Sequence, residues 1–102
     1  MIIRISLGFF EPERATEIAN LLNDKDEILR NAIGKLRGNL AYYVTVDAKV
    51  GAMSNVSHWE TQEEAMQMST LPEMLALRSD FEVLNVKFVP ITNHEILWVL
   101  PA

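Results

Sequence analysis

Asn55 and Trp59 are the residues of this sequence whose types and spacing best suit chemistry. Side chains alternate along a strand, so Asn55 and Trp59 share one face of the predicted strand 52–60. A buried amide without a partner costs roughly 1–3 kcal/mol, so Asn55 either bonds local backbone or serves a ligand. Trp59 is either a core anchor or a site residue. Thr61 and Glu64 match a helix capping box, which predicts a helix that covers this face.

Other kinds of site find little support in the sequence. It contains no cysteine, which excludes disulfides, thiolate metal sites and cysteine nucleophiles. His58 alternates to the face opposite Asn55, which favours a place at an interface or rim, and His94 lies in a polar break where it is expected to be solvated. No histidine and carboxylate recur at ligand spacing, so we expect no metal site. None of the four glycines is spaced for a phosphate-binding loop.

Composition predicts a single globular domain over residues 1–102. The net charge is −5, and no cluster of basic residues occurs beyond Lys35 and Arg37, which argues against nucleic acid or an anionic membrane as a partner. No apolar run approaches the ~18 residues of a membrane span. The apolar N-terminal stretch is too short for a signal peptide, so we expect a cytoplasmic protein.

Residue patterns predict the order β-α-β-β-α-β with one extra C-terminal strand, a ferredoxin-like α+β fold. The predicted strands are residues 2–10, 40–47, 52–60, 83–89 and 95–100. Helical stripes occupy 15–22 and 28–36, and further helical segments run from 61 to 71 and onward from Pro72. Both helical segments are expected on one face of the sheet.

The other face of the sheet is then left uncovered, and the strand patterns make it apolar. The first strand offers Ile3, Ile5, Leu7 and Phe9 on one side and a more mixed set, with Arg4 and Ser6, on the other. The next two strands place one of two sets there: Leu40, Val44 and Val46, or Tyr43, Ala52 and Val56. An uncovered apolar sheet face predicts a homodimer, with residues 95–100 reaching toward the partner.

The motif Asn55-x-x-x-Trp59-Glu-x-x-Glu-Glu-Ala65 resembles the antibiotic-biosynthesis monooxygenase family of the dimeric α/β-barrel superfamily. The resemblance implies a homodimer whose two sheets pack face to face into an α/β barrel. It also implies a pocket between sheet and helices, and cofactor-independent oxygenation of a phenolic or quinol-like substrate. Asn55 would donate its amide to a substrate oxygen, and Trp59 would supply an aromatic wall and an indole donor.

Further residues are expected around such a pocket. Tyr42 or Tyr43 would complete it, and Met53, Met68 and Phe81 would contact an apolar aromatic ligand, although clustered methionines are more often simple core filling. The haem-degrading members of the family carry an iron-ligating histidine that is missing from residues 61–71, so we expect no cofactor. The alternative function is a non-catalytic dimeric module that binds a small hydrophobic ligand or a partner.

Overall fold

The structure, a computed structural model, describes residues 1–101, so that Ala102, the last residue of the predicted domain, lies outside the described part. The strands are β1 (Ile2–Phe9), β2 (Asn39–Asp47), β3 (Ala52–Trp59), β4 (Lys87–Phe88) and β5 (Thr92–Glu95). The helices are α1 (Ala15–Asp24), α2 (Asp26–Gly34), α3 (Gln62–Ala65) and α4 (Pro72–Val83), with 3-10 turns at Pro12–Arg14 and Met66–Thr70. The predicted ferredoxin-like α+β fold with an extra strand is confirmed.

All strand pairs of the sheet are antiparallel, in the order β2-β3-β1-β4, and β5 also pairs with β1. β4 lies opposite Gly8 and Phe9, while β5 lies opposite the other end of β1, from Ile2 to Ile5. The two short strands therefore share one edge of β1. Pro90 falls between them, where its missing N–H removes a ladder hydrogen bond.

The last two strands differ from the predicted bounds for identifiable reasons. Val83 ends α4 instead of opening a strand, and the chain leaves the helix through Asn85 at a φ of 62°. The predicted strand 95–100 is wrong, because β1 offers no partner that far: Ile2 pairs with Glu95, and the Ile96 N–H donates to the Met1 carbonyl at 2.9 Å. Residues 97–100 are exposed, including Trp98 at 80%.

The hydrophobic core lies between the helices and one face of the sheet. Its fully buried side chains include Trp59, Phe81, Ile18, Ile33 and Met53. Along β3, burial alternates strictly, with the face that carries Trp59 turned inward. No helix among residues 1–101 combines the length and the hydropathy needed to cross a membrane.

The opposite face of the sheet is uncovered by this chain. It carries Ile5 and Phe9 of β1, the latter 43% exposed, and Tyr43 of β2, which pairs with Val56 and is 58% exposed. Of the two sets predicted for this face, the one with Tyr43 and Val56 is therefore correct. Val44, of the other set, faces the helices.

The helix after Trp59 begins as the capping motif predicts but ends early. The Glu64 N–H donates to Thr61 Oγ1 at 3.2 Å, and the helix then tightens into the 3-10 turn, which shortens the predicted helix 61–71. Glu64 is buried, and its carboxylate forms an ion pair with Arg37 Nε at 3.2 Å. Gly38, at a φ of 82°, makes this approach possible, since a Cβ there would collide with the Glu64 carboxylate.

Candidate functional site

A cavity of about 210 Å³ lies between the covered face of the sheet and the segment formed by the 3-10 turn and α4. Strand alternation turns two residues of β1 and two of β3 into it, and helical spacing supplies the roof. The lining residues are Arg4, Ser6, Asn55, Ser57, Met68, Ser69, Met74, Leu75, Leu77, Arg78, Phe81, Phe88 and Ile91. The floor is thus polar and the roof mostly apolar.

Asn55 is held from one side by Tyr42. Val44 of β2 lies opposite Asn55, and the Tyr42 hydroxyl donates a short hydrogen bond to Asn55 Oδ1. Burial raises the pKa of Tyr42, so the hydroxyl keeps its proton and remains a donor. The acceptor of the amide is therefore occupied, and its two N–H groups are left for a ligand in the cavity.

Arg4 brings a positive charge to the floor of the cavity. The residue is 7% exposed, and the only hydrogen bond of its side chain within residues 1–101 joins Nη1 to the Met66 sulfur at 3.7 Å. Burial lowers the pKa of Arg4, but a guanidinium stays protonated in proteins. No carboxylate in residues 1–101 forms an ion pair with it.

Arg78 is the second cation of the lining and differs from Arg4. Its guanidinium stacks 4.8 Å above the Phe88 ring, and its Nε lies 3.6 Å from Glu82 Oε1. The Arg78 side chain is 46% exposed. The charge of Arg78 is thus partly neutralised by Glu82 and exposed to solvent. The charge of Arg4 is buried and has no ion pair among residues 1–101.

The lining contains no aspartate, glutamate or histidine. Its polar groups are hydroxyls, one amide and two guanidiniums, which together favour a bound oxyanion over a cation. No group of three or more potential metal ligands occurs within the described chain, 1–101. A ligand could be oriented and its negative charge stabilised here, but no side chain of the lining can act as a carboxylate or imidazole base.

The structure brings three of the predicted site residues to the cavity: Asn55, Met68 and Phe81. Tyr42 reaches the site only through its hydrogen bond to Asn55. Tyr43 lies on the uncovered face of the sheet, away from the cavity.

Trp59 and Met53 share the face of Asn55, as predicted, yet neither lines the cavity. Both are core residues with at most 1% exposure. The Trp59 indole N–H is buried and finds no hydrogen-bond partner among residues 1–101. The role predicted for Trp59 in catalysis stays a prediction.

Sequence reasoning missed the charged and hydroxyl groups of the floor. Alternation along β1 had already placed Arg4 and Ser6 on one mixed face, but neither residue was assigned to the site. The strand register shows that these groups form one floor with Asn55, because Ser6 lies opposite Asn55 and Arg4 lies opposite Ser57.

A second cavity, of about 570 Å³, lies between β2 and the first two helices. Tyr42, Val44 and Val46 form its sheet side. Its charged groups, Asp26 and Arg30, bond each other at 2.5 Å and are exposed. This cavity therefore offers a ligand no unpaired charge.

Comparison with known proteins gives matches in structure only. No family model matches the sequence, and no curated protein matches it. A candidate antibiotic biosynthesis monooxygenase from Deinococcus radiodurans superposes with a TM-score of 0.75 at 22% identity, over 100% of this chain and 98% of that one. The chain has the fold of the antibiotic biosynthesis monooxygenases.

Two further solved structures agree with that assignment of fold. SnoaB, a cofactor-independent oxygenase from Streptomyces nogalater, gives a TM-score of 0.70 at 10% identity, over 99% of this chain and 97% of that one. Rv0793 from Mycobacterium tuberculosis gives 0.70 at 16% identity, over 97% of each chain. The resemblance drawn from Asn55 and Trp59 is thereby confirmed at the level of the fold.

Proposed function

We propose that this chain belongs to the antibiotic biosynthesis monooxygenases and oxygenates a small phenolic or quinol-like aromatic without a cofactor. The observation that carries the proposal is the Tyr42–Asn55 hydrogen bond, which leaves the Asn55 amide N–H groups for a ligand oxygen in a largely apolar cavity. The cofactor-independent oxygenase SnoaB, which shares the fold, supports the same reaction class. Fold alone does not determine chemistry, so the site carries the argument.

The reaction is balanced without any further oxidant. A phenol and O₂ give a quinone and water: one oxygen atom enters the ring, the other leaves as water, and the substrate supplies all the electrons. A phenolate is electron-rich enough to reduce O₂ itself. The protein then has to bind the ring, orient it and stabilise the negative charge on its oxygen.

The volume of the cavity restricts the size of the substrate. An apolar cavity of about 150 Å³ holds benzene, and drug-sized ligands occupy roughly 300 Å³ or more. A cavity of about 210 Å³ therefore suits one substituted ring or two fused rings. Phe81, Met68 and Leu77 provide the apolar contacts for such rings.

Ionisation of the substrate is the step that the positive charge favours. A free phenol has a pKa of about 10, and a nearby guanidinium lowers the pKa of a bound phenol by favouring its charged form. The guanidiniums of the lining supply positive charge to the cavity, and the Asn55 N–H groups favour the phenolate in the same direction by hydrogen bonding to its oxygen. Because the lining holds no carboxylate or imidazole, the phenolic proton leaves to solvent, and turnover is expected to rise with pH up to the pKa of the bound phenol.

Oxygenation of 1-naphthol under ¹⁸O₂ tests the proposal. We expect 1,4-naphthoquinone that contains one ¹⁸O atom, formed faster than in buffer alone and without added flavin, haem or metal. Mass spectrometry measures the ¹⁸O content of the product, and an oxygen electrode measures the consumption of O₂. Tight binding of naphthols with no oxygen uptake above the buffer rate would contradict the enzymatic proposal.

The alternative is a non-catalytic module that binds a small aromatic ligand. The lack of a general base in the lining favours it, because binding needs only the donors and the apolar roof. The two functions differ in the ¹⁸O₂ experiment, since the module binds 1-naphthol and returns it unchanged.

We also propose a homodimer that buries the uncovered face and forms an α/β barrel. Ile5 and Phe9 on that face, and the exposed Leu97 and Trp98 beyond β5, are the apolar groups that a second copy would cover. Sedimentation at micromolar concentration is expected to give the mass of a dimer, and a monomer would contradict the proposal. Replacement of Leu97 and Trp98 by serine tests the tail separately from the face.

A further inference from the structure

Arg4 is the charged group of the cavity that has no ion-pair partner among the described residues, 1–101. A guanidinium has five N–H donors, and among residues 1–101 the only side chain that accepts a hydrogen bond from it is that of Met66, through a weakly accepting sulfur. Buried charges in proteins are normally paired. Every acidic side chain that forms an ion pair in residues 1–101 does so with another cation.

The immediate neighbours of Arg4 in the sheet do not neutralise it. Ser57 lies opposite it on β3 and Asn93 opposite it on β5. Asn93 Oδ1 is buried and has no hydrogen-bond partner in the described part of the chain, so it is not bonded to Arg4 either. The polar groups around the guanidinium thus leave its charge free to face the cavity.

We propose that the ligand of this cavity carries a carboxylate and that Arg4 binds it. A carboxylate matches the planar fork of a guanidinium with two parallel hydrogen bonds. A ligand with one negative charge fits the cavity better than one with two, because Arg78, the other cation of the lining, already lies beside Glu82. The inference rests on the proposed function for the aromatic part of the ligand, and it adds the acidic group.

The strand register indicates where the carboxylate lies relative to the phenolic oxygen. Ser6 is opposite Asn55, so Arg4, two residues along β1, is the diagonal neighbour of Asn55. Diagonal neighbours on one sheet face are about 7–8 Å apart. A ring with its hydroxyl and carboxylate at opposite ends spans a similar distance. The pair 4-hydroxy-1-naphthoate and 1-naphthol, which differ only in the carboxylate, therefore probes Arg4.

Titration calorimetry at pH 7 with these two compounds tests the inference without relying on turnover. The wild-type protein is expected to bind 4-hydroxy-1-naphthoate at least 10-fold more tightly than 1-naphthol. Arg4→Met, which keeps the length of the side chain, should weaken binding of the naphthoate about 10- to 100-fold and that of 1-naphthol less than threefold. Arg4→Lys keeps the charge but not the fork, so an intermediate loss is expected.

Two further arginine variants locate the effect. Arg14→Met removes an arginine at the start of α1, outside the cavity, and should leave both affinities unchanged. Arg78→Gln should reduce the preference for the naphthoate less than Arg4→Met does. A preference that survives Arg4→Met and disappears in Arg78→Gln would overturn the assignment to Arg4.

The failure of this inference and that of the proposed function give different results. Equal affinity of the wild-type protein for both compounds overturns the carboxylate inference even if 1-naphthol is oxygenated. A naphthoate preference that depends on Arg4, without oxygen uptake from any phenol, supports the inference and rejects the enzyme. If Arg4→Met fails to fold, the wild-type comparison together with Arg4→Lys still decides the question.

Discussion

Along β1, the covered face of the sheet is the more polar one and the uncovered face the more apolar one, which is the reverse of what burial usually produces. On β1, the face covered by helices carries Arg4 and Ser6, while the uncovered face carries Ile3, Ile5 and Leu7. Burial of polar groups usually costs stability, and exposure of apolar ones is usually limited to small patches. This distribution agrees with both proposals, a ligand in the cavity above the covered face and a second copy of the chain on the uncovered face.

Each face therefore makes a different demand on its residues. The covered face tolerates Arg4 and Asn55 because a cavity, and not a packed core, lies above them. Places where local rules are broken are where function is expected. On the uncovered face, the exposed apolar residues are those that the proposed dimer would bury.

The largest expected effect comes from a charge on the uncovered face. Ile5→Glu would bury a carboxylate without a partner in each copy of the proposed dimer, at a cost of at least ~3 kcal/mol. Association should weaken more than 100-fold, as measured by light scattering during gel filtration. Thr16→Glu, at an exposed position of α1, is the matched control and should stay dimeric. A dimer of Ile5→Glu with wild-type affinity would refute the assignment of this face.

Asn55→Leu tests the covered face with the next largest effect. Removal of one preorganised donor to a developing oxyanion typically lowers turnover by 10²–10³, so we expect kcat/KM for 1-naphthol to fall about 100-fold. Thermal unfolding should change little, because the leucine gains burial while the Tyr42 hydroxyl loses its acceptor, at about 1 kcal/mol. Asn31→Leu, on the exposed side of α2, is the control. A clearly destabilised variant that retains turnover would show that Asn55 is structural.

Tyr42→Phe gives a smaller effect with a characteristic pH dependence. Loss of the hydroxyl frees the Asn55 amide to rotate, so we expect about a 10-fold loss of turnover and ~1 kcal/mol of stability. Burial raises the pKa of Tyr42 above its ordinary value of 10.0. The unfolded chain therefore loses this proton first, and the wild-type protein loses stability as the pH rises above about 10.

The phenylalanine variant lacks that loss, so the stability difference between the two proteins should narrow above pH 10. Urea unfolding at pH 8 and at pH 10.5 measures it, with Tyr43→Phe on the uncovered face as the control for turnover. A difference that stays constant with pH would argue against a buried, protonated Tyr42.

Much of this fold follows from sequence because its signals are local. Alternation in β3 predicts that Asn55 and Trp59 share a face, and Thr61 with Glu64 predicts where the next helix begins. The predictions that were wrong or incomplete concern features that depend on strand register and on partners distant in the sequence. Residues 95–100 have the composition of a strand, but β1 has no residues left to pair with them. Alternation assigns Arg4 to a face of β1. That Arg4 lies near Asn55 follows only from the strand register, which pairs Asn55 with Ser6, two residues from Arg4.

The 3-10 turn of residues 66–70 has a consequence for how quickly a ligand enters and leaves. This turn contributes Met68 and Ser69 to the roof of the cavity, and 3-10 hydrogen bonds have poorer geometry than α-helical ones. Pro72 then starts α4 without an N–H of its own, so the two roof segments are joined by few backbone bonds. Local opening is cheapest where backbone bonds are fewest. The amides of residues 66–70 should thus exchange with deuterium before those in the middle of α4, and slow down when a ligand is bound.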